Sequence, residues 1–454
     1  MKKTLALGFM ILGVTSYSAV KNVIYFIGDG LGPAQRQITE YYKNEVLNKP
    51  GKLAMNSLPA LGITTTHSLD TLITDSAAAG TALATGYKTN NGMISQLPNG
   101  EKLKSLRVIA QEKGMKTGII SSTRLTHATP ASFITNNISR GNEAEMAEGF
   151  SKSNIDFFAG GGYRFFTPKD GELVSKRKDN RNLLTDLEKN GYKVFVGEEN
   201  GDNLLEYTPK KGEKIFAALT PSHLPYEIDR LQNKATPSLS ALTEKGIEVL
   251  SKNNPNGFFM MVEGGRIDHA SHAQDAVGTI MDTIAFDEAI QIAIDFYKKN
   301  PKDTLIIIAA DHETGGMGLG FGKNYKLNLE ALKNVNISVE DKLQTLYTGD
   351  KDKYYKELAQ NFGLENLETE EKNRIEEAMK LEDDEKSIGG YYKPTAIAAA
   401  HIISERAGLQ WTSFAHTATQ VPLSAIGEGA ENFVGFKDNT EVAKEIAKAM
   451  GGNL

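Results

Sequence analysis

Two residue patterns in this chain are suited to holding a metal ion. In Val262-Glu263-Gly264-Gly265-Arg266-Ile267-Asp268-His269-Ala270-Ser271-His272, Asp268 and His272 are four positions apart and face one way on a helical turn. One Asp with two His is a common ligand set for a catalytic zinc. Ala309-Ala310-Asp311-His312-Glu313-Thr314-Gly315-Gly316 supplies a second carboxylate–imidazole pair, and His416-Thr417-Ala418 a further imidazole near the C-terminus. Asp29 sits in the turn Ile27-Gly28-Asp29-Gly30-Leu31-Gly32, where a turn-forming role is the ordinary alternative.

Other motifs suit phosphate. Thr74-Asp75-Ser76 runs into Ala77-Ala78-Ala79-Gly80-Thr81-Ala82, which reads as a helix carrying Ser76 in its first turn. A helix N-terminus offers free N–H groups to a phosphate or a developing alkoxide, although Asp75 or Ser76 could simply cap the helix. His127-Ala128-Thr129-Pro130 is followed by Arg140, whose guanidinium could clamp two oxygens of a phosphate. Five of the eight His (127, 269, 272, 312 and 416) fall in these motifs; 67, 223 and 401 do not. The chain has no Cys, which excludes disulfides, thiolate zinc sites, Fe–S clusters and a Cys nucleophile.

These motifs need a scaffold that brings distant segments together. Apolar runs bounded by Gly, Asn or Asp at Val23–Ile27, Gly118–Ile120, Ile155–Ala159, Phe258–Val262 and Thr304–Ala310 read as strands buried on both faces. Helical stripes lie between them, the clearest being Met281, Ile284, Ala285, Ala289, Ile292, Ala293 and Phe296. Alternating strands and helices predict an α/β core with a mostly parallel sheet, and the site motifs follow its strands, where such sheets build their sites. The 454 residues are read as one large α/β domain, 20–454, with an insertion at about 323–411. Within that insertion, Glu365 to Glu385 carries ten acidic residues against Lys372, Arg374 and Lys380. The pairs Glu368/Lys372, Glu370/Arg374 and Glu376/Lys380 predict a solvated helix laced by i, i+4 ion pairs; a cation-binding or partner-steering patch is the alternative.

Residues 1–19 resemble a signal peptide, with Lys2 and Lys3 ahead of an apolar stretch, Leu5 to Val14, and small residues at 16–19. The expectation is a secreted protein, periplasmic or extracellular, with no membrane span after cleavage. A net charge of −6 gives no reason to expect nucleic-acid binding.

In order and spacing, Ile-Gly-Asp-Gly-Leu-Gly, Thr-Asp-Ser-Ala-Ala-Ala-Gly-Thr-Ala, the His-x-Thr with its following Arg, Glu-Gly-Gly-Arg-Ile-Asp-His-x-x-His, Ala-Asp-His-Glu-Thr-Gly-Gly and His-Thr-Ala resemble the alkaline phosphatases. The resemblance runs from about residue 22 to 440 and is weakest across 323–411. It implies a large, mostly parallel central sheet flanked by helices on both faces, with an inserted crown or loop subdomain. It also implies two zinc ions and a magnesium. Asp268, His272 and His416 resemble the ligands of the first zinc, and Asp29, Asp311 and His312 those of the second. Asp29, Thr129 and Glu263 resemble the magnesium ligands, Ser76 the nucleophile and Arg140 the phosphate clamp. Asp75, His127 and His269 would stand behind these residues. At positions 127 and 269 the best-known enterobacterial member has Asp and Lys; animal members have His, as here, which leaves the third ion open among magnesium, zinc and cobalt.

The implied reaction is hydrolysis of small phosphate monoesters through a covalent phosphoserine, with two metals about 4 Å apart at the entering and leaving oxygens. Family members are commonly homodimers, so a homodimer is expected. A phosphodiesterase of the wider superfamily and a non-catalytic zinc- or phosphate-binding protein are the competing readings. A sulfatase would need Pro and Arg after its nucleophile, where Ser76 is followed by Ala-Ala-Ala.

Overall fold

A computed structural model describes residues 19–323 and 325–454. The segment read as a signal peptide, 1–19, lies outside the described residues except for Ala19. Ten strands form one sheet: β1 Asn22–Gly28, β2 Ala60–Thr64, β3 Lys116–Arg124, β4 Phe157–Gly161, β5 Tyr192–Val196, β6 Lys214–Ala218, β7 Phe258–Gly264, β8 Thr304–Ala310, β9 Val421–Gly427 and β10 Gly435–Lys437. Their order across the sheet is β10-β2-β9-β8-β1-β7-β3-β4-β6-β5. From β8 to β5 all neighbours are parallel, while β9 runs antiparallel to both β8 and β2.

The five runs read from sequence all lie in this sheet, although the run from Ile155 becomes strand only at Phe157. The strands that were not anticipated sit toward the edges. β5 mixes buried, half-buried and exposed positions, and β9 contains Pro422 and Ser424, so neither carries the continuous apolar signal of a central strand.

Side chains of β1 show why the centre must be apolar throughout. Val23, Tyr25 and Ile27 enter one core, with Leu83 and Ala84 of a helix at Ser76–Thr85 and Val442 and Ile446 of one at Asn439–Ala449. Ile24 and Phe26 enter the opposite core, with helices Leu239–Ser251 and Ala276–Lys299. Both faces are therefore covered, as a parallel sheet requires. On the 276–299 helix, Phe286, Ile290 and Ile294 are buried beside the predicted Ala285, Ala289 and Ala293, whereas Met281, Ile284, Ile292 and Phe296 are only half-buried.

A third apolar core lies under residues 329–411. Helices Lys351–Asn361, Thr369–Asp383 and Pro394–Ala407 enclose it together with helix Pro33–Glu45 and the start of the 276–299 helix. The acidic helix is present, but its ion pairs run differently from the expectation. Arg374 reaches Glu405, Arg406 reaches Glu371, and Lys351 reaches Glu376, so the charges tie neighbouring helices together instead of running i, i+4 along one. The buried Ile375, Ala378 and Met379 give that helix an inner face, which turns its charged side chains toward the adjacent helices.

Asp275 links this region to the sheet. Its carboxylate caps the 276–299 helix by accepting from the Gly278 N–H at 2.8 Å, and it also accepts from the Val339 N–H at 2.8 Å. Asp275→Ala removes both acceptors and leaves a buried N–H unpaired, so a loss of about 2–4 kcal/mol is expected, read as a lower urea midpoint.

Candidate active site

Four adjacent strands, β8, β1, β7 and β3, deliver the candidate residues to one edge of the sheet. Asp29 follows β1, Glu263 ends β7, Asp311 and His312 follow β8, and Thr129 lies in the short helix Ala128–Ile134 soon after β3. Asp268 and His272 lie on the helical turn Arg266–His272. The close fit depends on Gly30, held at φ +72°: a Cβ there would stand 2.8 Å from the Asp268 backbone. Its N–H donates to Asp311 Oδ1 at 3.1 Å, which ties the β1 turn to the β8 turn.

Three groups of polar atoms converge. In the first, His272 Nε2 and His416 Nε2 are 3.1 Å apart, and they lie 3.3 and 3.5 Å from Asp268 Oδ1. Behind them, His272 Nδ1 is 2.7 Å from the Phe414 carbonyl and His416 Nδ1 is 2.7 Å from the Thr74 carbonyl. A carbonyl only accepts, so each Nδ1 carries a proton and each ring turns its Nε2 inward, the atom whose lone pair a metal would take. Burial, then the neighbouring His312, push the His416 pKa down to about 4, which keeps that ring neutral. Two lone pairs and a carboxylate oxygen facing one point suit a divalent cation, and carbonyl-backed imidazoles are the usual support for one.

The second group surrounds His312. Its Nε2 lies 3.1 Å from Asp311 Oδ2, 3.5 Å from Asp29 Oδ1 and 3.3 Å from Ser76 Oγ. The third group brings Asp29, His127 and Glu263 within 4.8 Å of one another, and Thr129 Oγ1 donates to Asp29 Oδ2 at 3.5 Å. All the predicted ligands are thus brought together. His127, expected behind them, stands among them, and His312 also lies within reach of Asp268 and His416.

Electrostatics point the same way. Asp29 Oδ1, Asp311 Oδ2 and Glu263 Oε1 are buried without hydrogen-bond partners. Burial, followed by the charges of Asp311, Asp268 and Glu263, raises the Asp29 pKa well above the usual carboxylate range. Burial pushes Glu263 up to about 7 against the hydrogen bonds it accepts from Ser121 and Thr123. Carboxylates crowded together and partly unpaired fit multivalent cations supplied from outside the chain.

Ser76 is the first residue of its helix. Asp75 does cap that helix, accepting from the Ala78 N–H at 2.9 Å, and its other oxygen accepts from the Gly92 N–H at 3.0 Å. The capping alternative therefore holds for Asp75, while Ser76 Oγ remains directed at His312. Arg140 donates to Asp75 Oδ2 at 3.1 Å and to His127 Nε2 at 3.2 Å, with its side chain about one-third exposed.

Several residues without an assigned role are also here. His223 packs its ring 4.3 Å from His269 and 5.6 Å from His127, with His127 and His269 5.4 Å apart. All three rings have pKa values well below 6.5, burial being the main cause. His223 stands alone in sequence, so no spacing pointed to it. Thr314 Oγ1 donates to Asp268 Oδ1 at 2.5 Å and lies 3.2 Å from His312 Nδ1; its place in Asp-His-Glu-Thr was a usable signal. Ser121 and Thr123 brace Glu263, and their positions at the end of β3 could have marked them. Arg266 reaches His269 Nδ1 at 3.0 Å while its far side pairs with Asp341 and Glu340.

The sequence model of the family described as alkaline phosphatase matches residues 20–451. Alkaline phosphatase 3 of Bacillus subtilis is 33% identical over 96% of this chain and 90% of its own length. The crystal structure of Thermus thermophilus alkaline phosphatase superposes with a TM-score of 0.84 at 30% identity, covering 96% of this chain and 93% of that one. A mutant of the alkaline phosphatase from the Antarctic bacterium TAB5, described with Mg bound in its M3 site, gives a TM-score of 0.69 at 29% identity, over 96% and 99% of the two chains.

The Gly30 contact yields a direct test. Gly30→Ala forces a Cβ against the Asp268 backbone in a left-handed conformation, a strain of about 1–2 kcal/mol. Bound divalent metal per chain, measured after dialysis, should fall, with only a small shift in the urea midpoint.

Proposed function

The chain belongs to the alkaline phosphatase family and is a phosphoric monoester hydrolase, and from that premise we propose that it works through a covalent phosphoserine at Ser76 beside two zinc ions and a third cation. The observation that carries this reading is the pair of inward Nε2 atoms 3.1 Å apart, with Ser76 Oγ 3.3 Å from the imidazole of the adjoining group. Asp268, His272 and His416 would hold the first zinc, and Asp29, Asp311 and His312 the second. Asp29, Thr129 and Glu263 would hold magnesium, with His127 close enough to admit another ion there. The TAB5 protein described with Mg in its M3 site is a His-to-Asp mutant, while this chain keeps His127 in the third group, so the third ion stays open among magnesium, zinc and cobalt. When bound, such cations lower the pKa of the Ser76 hydroxyl and neutralise charge on the entering and leaving oxygens.

The chain's own residues supply the rest. The helix capped by Asp75 turns its N-terminal N–H groups and positive dipole end toward the charge around Ser76. Arg140 has one face on Asp75 and His127 and an exposed remainder, which suits it to grip two non-bridging phosphate oxygens. Ser76 Oγ attacks phosphorus as the bond to the ester oxygen breaks, and the alcohol leaves with a proton. Water then cleaves the Ser76–phosphate bond and releases inorganic phosphate. His269 stays neutral behind the site and His127 stays neutral within the third group, so neither adds charge.

The signal-like segment 1–19 supports export to the periplasm or beyond, and no helix of the described residues is long and apolar enough to cross a membrane. Residues 323–411 are read as an insertion on the catalytic domain. A homodimer completes the proposal; light scattering at micromolar concentration should give about twice the mass of one chain.

Ser76→Ala should lower kcat/KM for p-nitrophenyl phosphate by at least about 10³-fold, and acid quench of the native enzyme should trap phosphate on Ser76. An unchanged rate in the variant refutes the nucleophile. EDTA should bring activity to background, and zinc with magnesium should restore it together. Hydrolysis of bis(p-nitrophenyl) phosphate faster than of the monoester would refute the monoesterase reading.

A further inference from the structure

Two parts of the 323–411 segment reach toward the site: Glu340 and Asp341, which hold Arg266, and one tight turn. Ile388 and Tyr392 pair across a tight turn made by Gly389 and Gly390, both at positive φ (+60° and +77°). This turn rests on Phe414. The Tyr392 and Phe414 ring centroids are 6.0 Å apart at 31°, and a Cβ on Gly389 would lie 3.4 Å from Phe414 Cγ. Phe414 in turn belongs to the wall of the site, because its carbonyl fixes His272 Nδ1 at 2.7 Å. Tyr392 is buried; burial first, then the charges of Glu340 and Asp268, raise its phenol pKa, which places it beside the same ligand group.

Tyr391 has a different environment. Its ring is 5.0 Å from that of Tyr392 and nearly perpendicular to it, and the residue is 61% exposed. Its neighbours include Glu340 and Asp341, the two carboxylates that hold Arg266 against His269. An exposed aromatic ring therefore stands outside the Glu340 and Arg266 pair that backs His269, on a turn whose other tyrosine packs on the half-buried Phe414.

The direction of reaction gives this position meaning. Ser76 Oγ lies against His312, so attack comes from that side. In an in-line displacement the leaving oxygen departs opposite Ser76 Oγ, and on the reading above it does so beside the Asp268, His272 and His416 group, whose His272 is held by the Phe414 carbonyl under the aromatic turn. The part of a substrate beyond its ester oxygen must extend along this rim.

We propose that Tyr391 is a specificity residue whose exposed ring offers a stacking face to a planar leaving group, so that nucleoside monophosphates are preferred to phosphates of non-planar alcohols. The proposal rests on the monoesterase reading above. Every nucleobase and aryl group has a π-face, so the ring is selective for planarity and tolerant of base identity. It acts on binding of the remote group, so its loss raises KM more than it lowers kcat.

Adenosine 5′-phosphate and ribose 5-phosphate share the same primary ester and differ by the base, so their kcat/KM ratio isolates the stacking. Tyr391→Ala should reduce this ratio at least about fivefold, mainly through KM for the nucleotide, while ribose 5-phosphate turnover stays within twofold. Tyr391→Phe keeps the ring and should keep the ratio. A ratio unchanged in Tyr391→Ala, or lost equally in Tyr391→Phe, overturns the proposal. If the native enzyme fails to hydrolyse ribose 5-phosphate and p-nitrophenyl phosphate, the monoesterase reading fails instead.

Discussion

Four carboxylates, those of Asp29, Glu263, Asp268 and Asp311, are gathered at one buried edge of the sheet, where two unit charges 4 Å apart repel by about 4 kcal/mol at an effective dielectric of 20. The imidazoles beside them are only partial counterions: Asp311 raises the pKa of His312 against its burial, but burial lowers that of His416 and holds His127, His223 and His269 well below 6.5. The remaining negative charge has to be met by cations from solution, and much of the surrounding architecture keeps the carboxylates in place until it is. Ser121, Thr123 and Thr314 occupy individual carboxylate oxygens, Gly30 lets two backbones approach, and backbone carbonyls fix the tautomers of His272 and His416.

The sheet makes this crowding possible. Its central strands bury both faces, so β8, β1, β7 and β3 are held firmly on either side and their C-terminal turns are positioned by cores that take no part in the chemistry. The antiparallel β9 is the exception that completes the site: it brings the chain back beside β8, and the short segment before it supplies His416. Stability and function are thereby separated in space, with apolar packing in the layers and the candidate ligands gathered at one edge.

The sequence was most legible where function had concentrated unusual residues. Asp268 and His272 at i, i+4, Asp311-His312 after an apolar run and Ser76 at the head of an Ala-rich helix all announced themselves by spacing, and the structure brings them together. Central strands were legible for a related reason, since burial on both faces leaves an uninterrupted apolar run. Strands outside the central set, such as the edge strand β5 and the antiparallel β9, carry mixed positions and were missed. His223 was invisible because it reaches the site only through the fold, from a loop with no companion ligand in sequence. The ion pairs of the acidic helix were misjudged for the opposite reason: local spacing allowed i, i+4 partners, but adjacent helices offered Glu405 and Lys351 in better geometry.

The position of His416 and β9 has a bearing on how the protein is made. A chain emerging residue by residue contains Asp29 almost from the beginning, yet the first ligand group lacks an imidazole until His416 appears near the end, and β8 lacks its antiparallel neighbour until β9 follows. No partial chain can assemble the full set of cation ligands. A chain from which His416 has yet to emerge can gather the second and third groups but not the first, so the first is completed only where the last strand docks.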